Sequence, residues 1–575
     1  MPDATGPAGP PEQPHPDPFT PEGTLGWDPE IQVVGTAGSG PAPKSRPWLA
    51  LGAAALVVFV IGGGALAMRS FLSTSVAAAE IMSPDTELFF SVDFLQFLEG
   101  DARKLNDTIF SMVEASGETA AADLRDMDGL IDEIDSAMQD ALGVDFTDDI
   151  RPWVGRTLSV SVSGIESFST REVPDVLVIL ESRDGGAADQ FLSDFADGLQ
   201  LATGTNVVRG TYNGVEIFIA SDDGDFDPPL VFARIGSMVA FGTQQAVEKA
   251  IDADSGLSLA DNEAFAAVMD ALPADRVMSL YVNGSAFSNA FEVEGLDPSI
   301  LNDFGNDTFG GSFTIADYGV RFEGVVLGDD PTGGLVIDSG EVVGDLPVDT
   351  FVMVGGWSMA SYWDLIATAA GGTDADDLLA EAGAELGIDL DSFLSLLDGP
   401  SAFALVESRE GLMAQELSLP LGLVGLFGTS RPVEVEGYVD DLIGYATRNG
   451  FEDLTRTTIE SGTFWLAGGD GTEAAAVGVT DTYLAAASSL DLAASIGSSP
   501  SLSENAELRA AADAIGVDPG ALMLFVDTQA LIDVFEAPAD MAEALSPLGP
   551  MAAAYEVDAT MTRGVFVWLI DYVEE

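Results

Sequence analysis

Asp222, Asp223, Asp225 and Asp227 crowd into one short segment, broken by Gly224 and closed by Pro228 and Pro229. Hard oxygen ligands gathered on a turn are what a Ca²⁺ ion binds. The same composition also suits a solvated hairpin tip between two strands, so the four aspartates are read as a candidate metal site with that alternative beside it. No other cofactor is expected. A second acidic series, Asp126, Asp128, Gly129, Ile131 and Asp132, runs in the order of an EF-hand loop, but Leu124 and Asp135 stand where that loop needs an Asp and a bidentate Glu. An amphipathic helix bearing Leu130, Ile131 and Ile134 is the reading preferred there.

Other chemistries lack their residues. The only histidine is His15, and there is no cysteine, which removes Ser-His-Asp triads, thiolate metal sites and an imidazole base. The only lysines are Lys44, Lys104 and Lys249; Asp101 and Ala246 occupy the positions where a serine-lysine nucleophile needs its serine, and no glycine-rich phosphate loop precedes a lysine. Glycosidase chemistry needs only two carboxylates and stays open as the enzymatic alternative. Asp93, Asn283 and Asp527, each following an apolar run, are read as helix caps.

The charge balance is lopsided, with 21 basic residues against 95 acidic ones and a formal net charge of -74. All but three of the basic and all but six of the acidic residues lie beyond position 69. Such a surface repels phosphate, so nucleic acid is not expected as a partner. It also repels itself unless salt shortens the Debye length, and with arginine favoured over lysine the composition resembles that of salt-adapted proteins.

The elements that must position these residues follow in order. Residues 1–46 carry repeated Pro and Gly without a hydrophobic period and read as a disordered tail. Residues 48–68 are uncharged, and at about 1.5 Å per residue such a run is long enough for a transmembrane helix. It is assigned to 47–69, with Lys44 and Arg46 placing the N-terminus in the cytoplasm. A linker, 70–80, leads to an extracellular region. There Leu142, Gly143, Val144, Asp145 and Phe146 recur as Leu386, Gly387, Ile388, Asp389 and Leu390, and the same spacing carries Gly155 to Gly399. Leu259, Asn262, Asp270 and Asp275 recur as Leu502, Asn505, Asp513 and Asp518. Two homologous repeats, 81–335 and 336–575, are expected.

Apolar, β-prone runs at 88–92, 158–162, 176–180, 215–220, 230–235 and 238–241 predict strands, with a hairpin at Gly236 and Ser237. Helical periods cover 187–201, 243–251 and 263–271. Strands and helices mix without strict alternation, so the expected class is α+β: a disordered tail, one transmembrane helix, then two tandem halves with mainly antiparallel sheets and packed helices.

The run Ser83-Pro84-Asp85-Thr86 leading into a strand that ends Val92-Asp93, and Asp261-Asn262-Glu263-Ala264-Phe265 leading into Leu272-Pro273-Ala274-Asp275, resemble a bacterial family catalogued as domain of unknown function 3352. The second half departs from that pattern with Gly516-Val517-Asp518. The resemblance implies a membrane-tethered protein of the bacterial cell envelope and assigns neither activity nor catalytic residues. The expected function is therefore a membrane-anchored extracellular protein, a non-enzymatic binding or scaffold protein with an unidentified extracellular partner. A carboxylate-only enzyme such as a glycosidase and a cation-dependent adhesin or spacer are the alternatives.

Overall fold

Alternating apolar and polar residues lay out ten strands in the first part of the chain: β1 Leu88–Asp93, β2 Val154–Ser163, β3 Asp175–Ser182, β4 Asn206–Tyr212, β5 Val215–Ser221, β6 Leu230–Ile235, β7 Met238–Thr243, β8 Met278–Asn283, β9 Thr308–Ala316 and β10 Gly319–Leu327. Ten more follow: β11 Thr350–Ser358, β12 Pro400–Glu407, β13 Leu421–Gly428, β14 Leu454–Ile459, β15 Gly462–Ala467, β16 Ala475–Val479, β17 Tyr483–Ala487, β18 Leu522–Val526, β19 Leu548–Val557 and β20 Met561–Ile570. The structure is a computed structural model that describes residues 76–93, 144–165, 173–221, 228–284, 307–328, 342–363, 373–417, 419–450, 454–467, 475–558 and 560–572, with single positions between 105 and 139.

Antiparallel pairing orders the first ten strands as β4-β5-β6-β7-β3-β2-β1-β8-β9-β10. The second ten run β14-β15-β16-β17-β13-β12-β11-β18-β19-β20. The pairing scheme is the same in both. They meet where β10 pairs β20 from Gly319↔Leu569 to Leu327↔Met561, so the described strands form one sheet of 20 strands.

This corrects the expected fold class. Separate halves with sheets of their own would leave β10 and β20 as edges with rows of unmet N–H and C=O groups, and pairing them removes that cost. Among the described residues no helix is long and apolar enough to cross a membrane. The run 48–68 and the tail 1–46 lie outside the described residues.

Helices cover the sheet. In the first ten strands α1 (Gly185–Thr203), α2 (Gln244–Ala253) and α3 (Glu263–Ala271) do so; in the second, α4 (Pro432–Arg448), α5 (Leu490–Ser495) and α6 (Ala506–Ile515). Successive residues of β5 point to opposite faces: Ile217 joins the core under α2 and α3, while Phe218 joins the one under α1. Local chemistry sets the helix ends. The Thr243 hydroxyl accepts from the Ala246 amide at the start of α2. After α3, Pro273 forces Leu272 to an extended conformation, φ -86° and ψ 153°. At the β6–β7 hairpin Gly236, at φ +59°, supplies the left-handed residue that the tight turn requires.

One capping device occurs twice. Asn262 Oδ1 accepts from the amides of Ala264 and Phe265 at 3.0 and 3.1 Å, while its Nδ2 donates to the Pro84 carbonyl at the entrance to β1. Asn505 Oδ1 accepts from Glu507 and Leu508 at 2.9 and 3.1 Å, and its Nδ2 donates to the Val348 carbonyl before β11. Each asparagine thus caps a helix and ties it to the strand beneath. Asn505→Ala is expected to lower stability by about 1–2 kcal/mol, read as a shift of the urea midpoint. Asn505→Asp, which keeps the acceptor, should recover most of that loss; equal losses in both variants would mean that the helix cap contributes little.

Candidate functional site

A cleft of about 350 Å³ opens beside α1 in the first ten strands, near the lower end of volumes that hold small ligands. Its first wall is the single-turn π-helix Phe146–Ile150. Asp145, extended at φ -99° and ψ 125°, caps that turn: its Oδ1 accepts from the Asp148 amide at 2.8 Å, and its own amide donates to Asp149 Oδ2 at 2.9 Å. Asp135 holds the same turn from outside, accepting from the amide and hydroxyl of Thr147 at 2.9 and 2.7 Å. This is the acid that the EF-hand comparison placed at the end of a calcium loop; in the structure it anchors Thr147.

The floor is aromatic. Trp153 is buried, its indole N–H donating to the Asp149 carbonyl at 2.8 Å, and its ring lies 5.1 Å from that of Phe191 on α1. Phe195 stacks on Phe191 at 5.8 Å and meets Phe232 edge-on at 5.2 Å, which fixes the floor to the sheet. Arg183 fastens the turn before Trp153 by donating to the carbonyls of Arg151 and Pro152. On the second wall, α1, Gln190 Nε2 donates to both Asp194 carboxylate oxygens at 2.9 Å. The rim therefore carries Asp148, Asp149 and Asp194, all exposed, and among the described residues none that lines the cleft is basic.

In the second ten strands apolar residues stand at this position. The spacing that aligns Asp145 with Asp389 puts Phe393 where the first part has Asp149, and Leu397 where it has Trp153. Asp389 still caps its helix, Leu390–Leu394, accepting from the Ser392 amide. Phe393, however, is buried against Val435 and Val439 and lies 5.5 Å from the Tyr438 ring on α4.

Two buried acids away from the cleft, Glu323 and Asp93, are held by arginines. Glu323, buried at the β10–β20 joint, accepts from Arg321 on its own strand and from Arg563 on β20. Arg321 Nη1 also donates to the Ala514 and Ile515 carbonyls at the end of α6. Burial pulls the Arg321 guanidinium down, but Tyr318 and Glu323 beside it outweigh this and leave its pKa above the ordinary value. Asp93 is buried and accepts from Arg156 Nε at 2.7 Å. Its expected role as a helix cap falls on residues outside those described, as does that of Asn283 at the end of β8. Asp527 does cap a helix, accepting from the Ala530 amide at 3.0 Å.

Asp222, Asp223, Asp225 and Asp227 lie outside the described residues; among the described residues no group of three or more His, Asp or Glu side chains could hold a metal ion. The cleft residues escaped the sequence reading, although a signal was present: the match of Leu142–Phe146 with its second copy breaks down just beyond the motif, at Asp149 and Trp153.

A family model described as "Protein of unknown function (DUF3352)" matches residues 49–549. No curated protein matches the chain, and neither does any solved structure.

Proposed function

The chain belongs to this family of unknown function, DUF3352, and from its geometry we propose that it is a non-enzymatic binding protein built from two tandem copies of a ten-strand unit, with its ligand seated in the acidic cleft of the first copy. One observation carries the reading: beside the cleft the first copy exposes Asp149 where the second buries Phe393 against Val435, Val439 and Tyr438. On a shared scaffold, a carboxylate kept at an opening where the other copy buries an apolar ring reflects use of that opening and not a demand of the fold.

The same geometry argues against carboxylate-only catalysis. A glycosidase acid needs an apolar enclosure that keeps it protonated. Asp148, Asp149 and Asp194 are all exposed, while buried Glu323 and Asp93 are taken up by arginines. Full-length protein incubated with nitrophenyl glycosides and nitrophenyl esters is expected to release no nitrophenol above the buffer rate. Release that disappears in Asp149→Asn would overturn the non-enzymatic reading.

A further inference from the structure

We propose that the cleft binds a small organic cation, an alkylammonium group whose charge sits at the rim and whose carbon chain lies toward the aromatic floor. The inference rests on the cleft being a binding site and adds the class of its ligand. Charge gives the first part of that class. Asp148, Asp149 and Asp194 stand at the opening, with no basic residue among the described lining side chains, and two of them are held in place, Asp149 by the Asp145 amide and Asp194 by the Gln190 amide.

Geometry gives the second part. A bare metal ion requires several oxygens converging within about 2.3–2.6 Å of it, and no described group of acids is placed to supply three ligands. The carboxylates instead rim a cavity with Phe191 and Trp153 below, at a ring separation of 5.1 Å. Carboxylates outside and aromatic carbon beneath are complementary to a cation that carries its own apolar chain. Because Trp153 is only 1% exposed and Phe191 9%, contact with the floor is shallow. The volume of about 350 Å³ accordingly suits a chain of a few carbons better than a large aromatic ligand.

The second copy carries an apolar residue at this position. Phe393 in place of Asp149 removes one rim charge and is packed against Tyr438, Val435 and Val439. Asp149→Phe therefore puts into the first copy a residue that the scaffold already accepts in the second.

Isothermal titration of the full chain with n-butylammonium chloride in 1 M sodium chloride tests the proposal, because at that salt the Debye length of about 3 Å suppresses diffuse counterion binding by the surface. One saturable site is expected. Asp149→Phe should weaken it on the order of tenfold by removing charge and adding bulk. Asp194→Asn, an exposed change on α1, should weaken it about twofold to fivefold, and Asp491→Asn, which removes one exposed charge from distant α5, should leave it unchanged. No saturable binding to the wild type, or an equal loss in Asp491→Asn and Asp149→Phe, overturns the inference. If n-butanol binds as tightly and Asp149→Phe abolishes both, the cation class is overturned while the cleft stands as a binding site.

Discussion

Glu323→Gln is expected to cost about 3–5 kcal/mol of stability, the loss typical of breaking a buried ion pair from one side. Glu323 is buried with its two carboxylate oxygens divided between neighbours: Oε1 accepts from Arg321 Nε, and Oε2 from Arg563 Nε at 2.8 Å and from Arg563 Nη2. Glutamine offers one acceptor in place of two and turns its NH₂ toward a guanidinium. Two half-buried cations then face each other with no anion between them, inside the joint that makes the sheet continuous. Urea melts should show a lower midpoint with an unchanged slope; a loss below about 1 kcal/mol would mean that water already reaches the joint.

The register explains why the joint has this composition. Arg321 faces Val567, Arg563 faces Val325, and Glu323 faces Val565, so the arginines are related by a local two-fold beside the Glu323–Val565 pair. Two cations related in this way repel, and a single glutamate at the centre offsets them. Replacing all three by apolar residues, Arg321→Met, Glu323→Leu and Arg563→Met together, should cost less than Glu323→Gln alone, because the desolvation of three charges disappears with their attraction. A residual loss of about 1–2 kcal/mol is expected from the Ala514 and Ile515 carbonyls that Arg321 no longer serves.

Short-range features were legible in the sequence. The helical period at 187–201 became α1, that at 263–271 became α3 with the same bounds, and the Gly236-Ser237 turn joined the two strands expected around it. All of these follow from the spacing of apolar residues and from the residues at the ends. The joint was not legible: β10 places Arg321 and Glu323 on a covered face, so the apolar alternation that marks a strand is broken by residues whose partners lie on β20. The cleft stayed hidden for another reason. Phe191 and Phe195 stand at helical spacing and read as core, which they largely are, and only the position of Trp153 and the Phe146–Ile150 turn leaves space beside them.

The other large effect concerns how α3 and its second-copy counterpart α6 end. Arg276 is 7% exposed, and burial pushes its guanidinium below the usual arginine range. It spends its donors locally: Nη1 on the carbonyls of Met269, Leu272 and Pro273, the last at 2.7 Å, and Nε on the Ser279 hydroxyl at 2.7 Å. It thereby closes the C-terminus of α3, where the helix dipole favours a cation, and ties it to β8. In the second copy α6 ends at Gly516, left-handed at φ +89°, whose amide reaches the Ala512 carbonyl at 2.8 Å; its remaining cation, Arg321, comes from the first copy. This physical difference underlies the departure of Gly516-Val517-Asp518 from Leu-Pro-Ala-Asp. Arg276→Met should therefore cost about 3 kcal/mol by leaving buried carbonyls unmet. Arg276→Lys should restore less than half of that, since an ammonium cannot reproduce the planar fork. Hydrogen exchange gives the local signature: amides of α3 should lose protection in Arg276→Met while those of α6 keep theirs. Full recovery with lysine would show that charge at the helix end, and not the fork, is what the site requires.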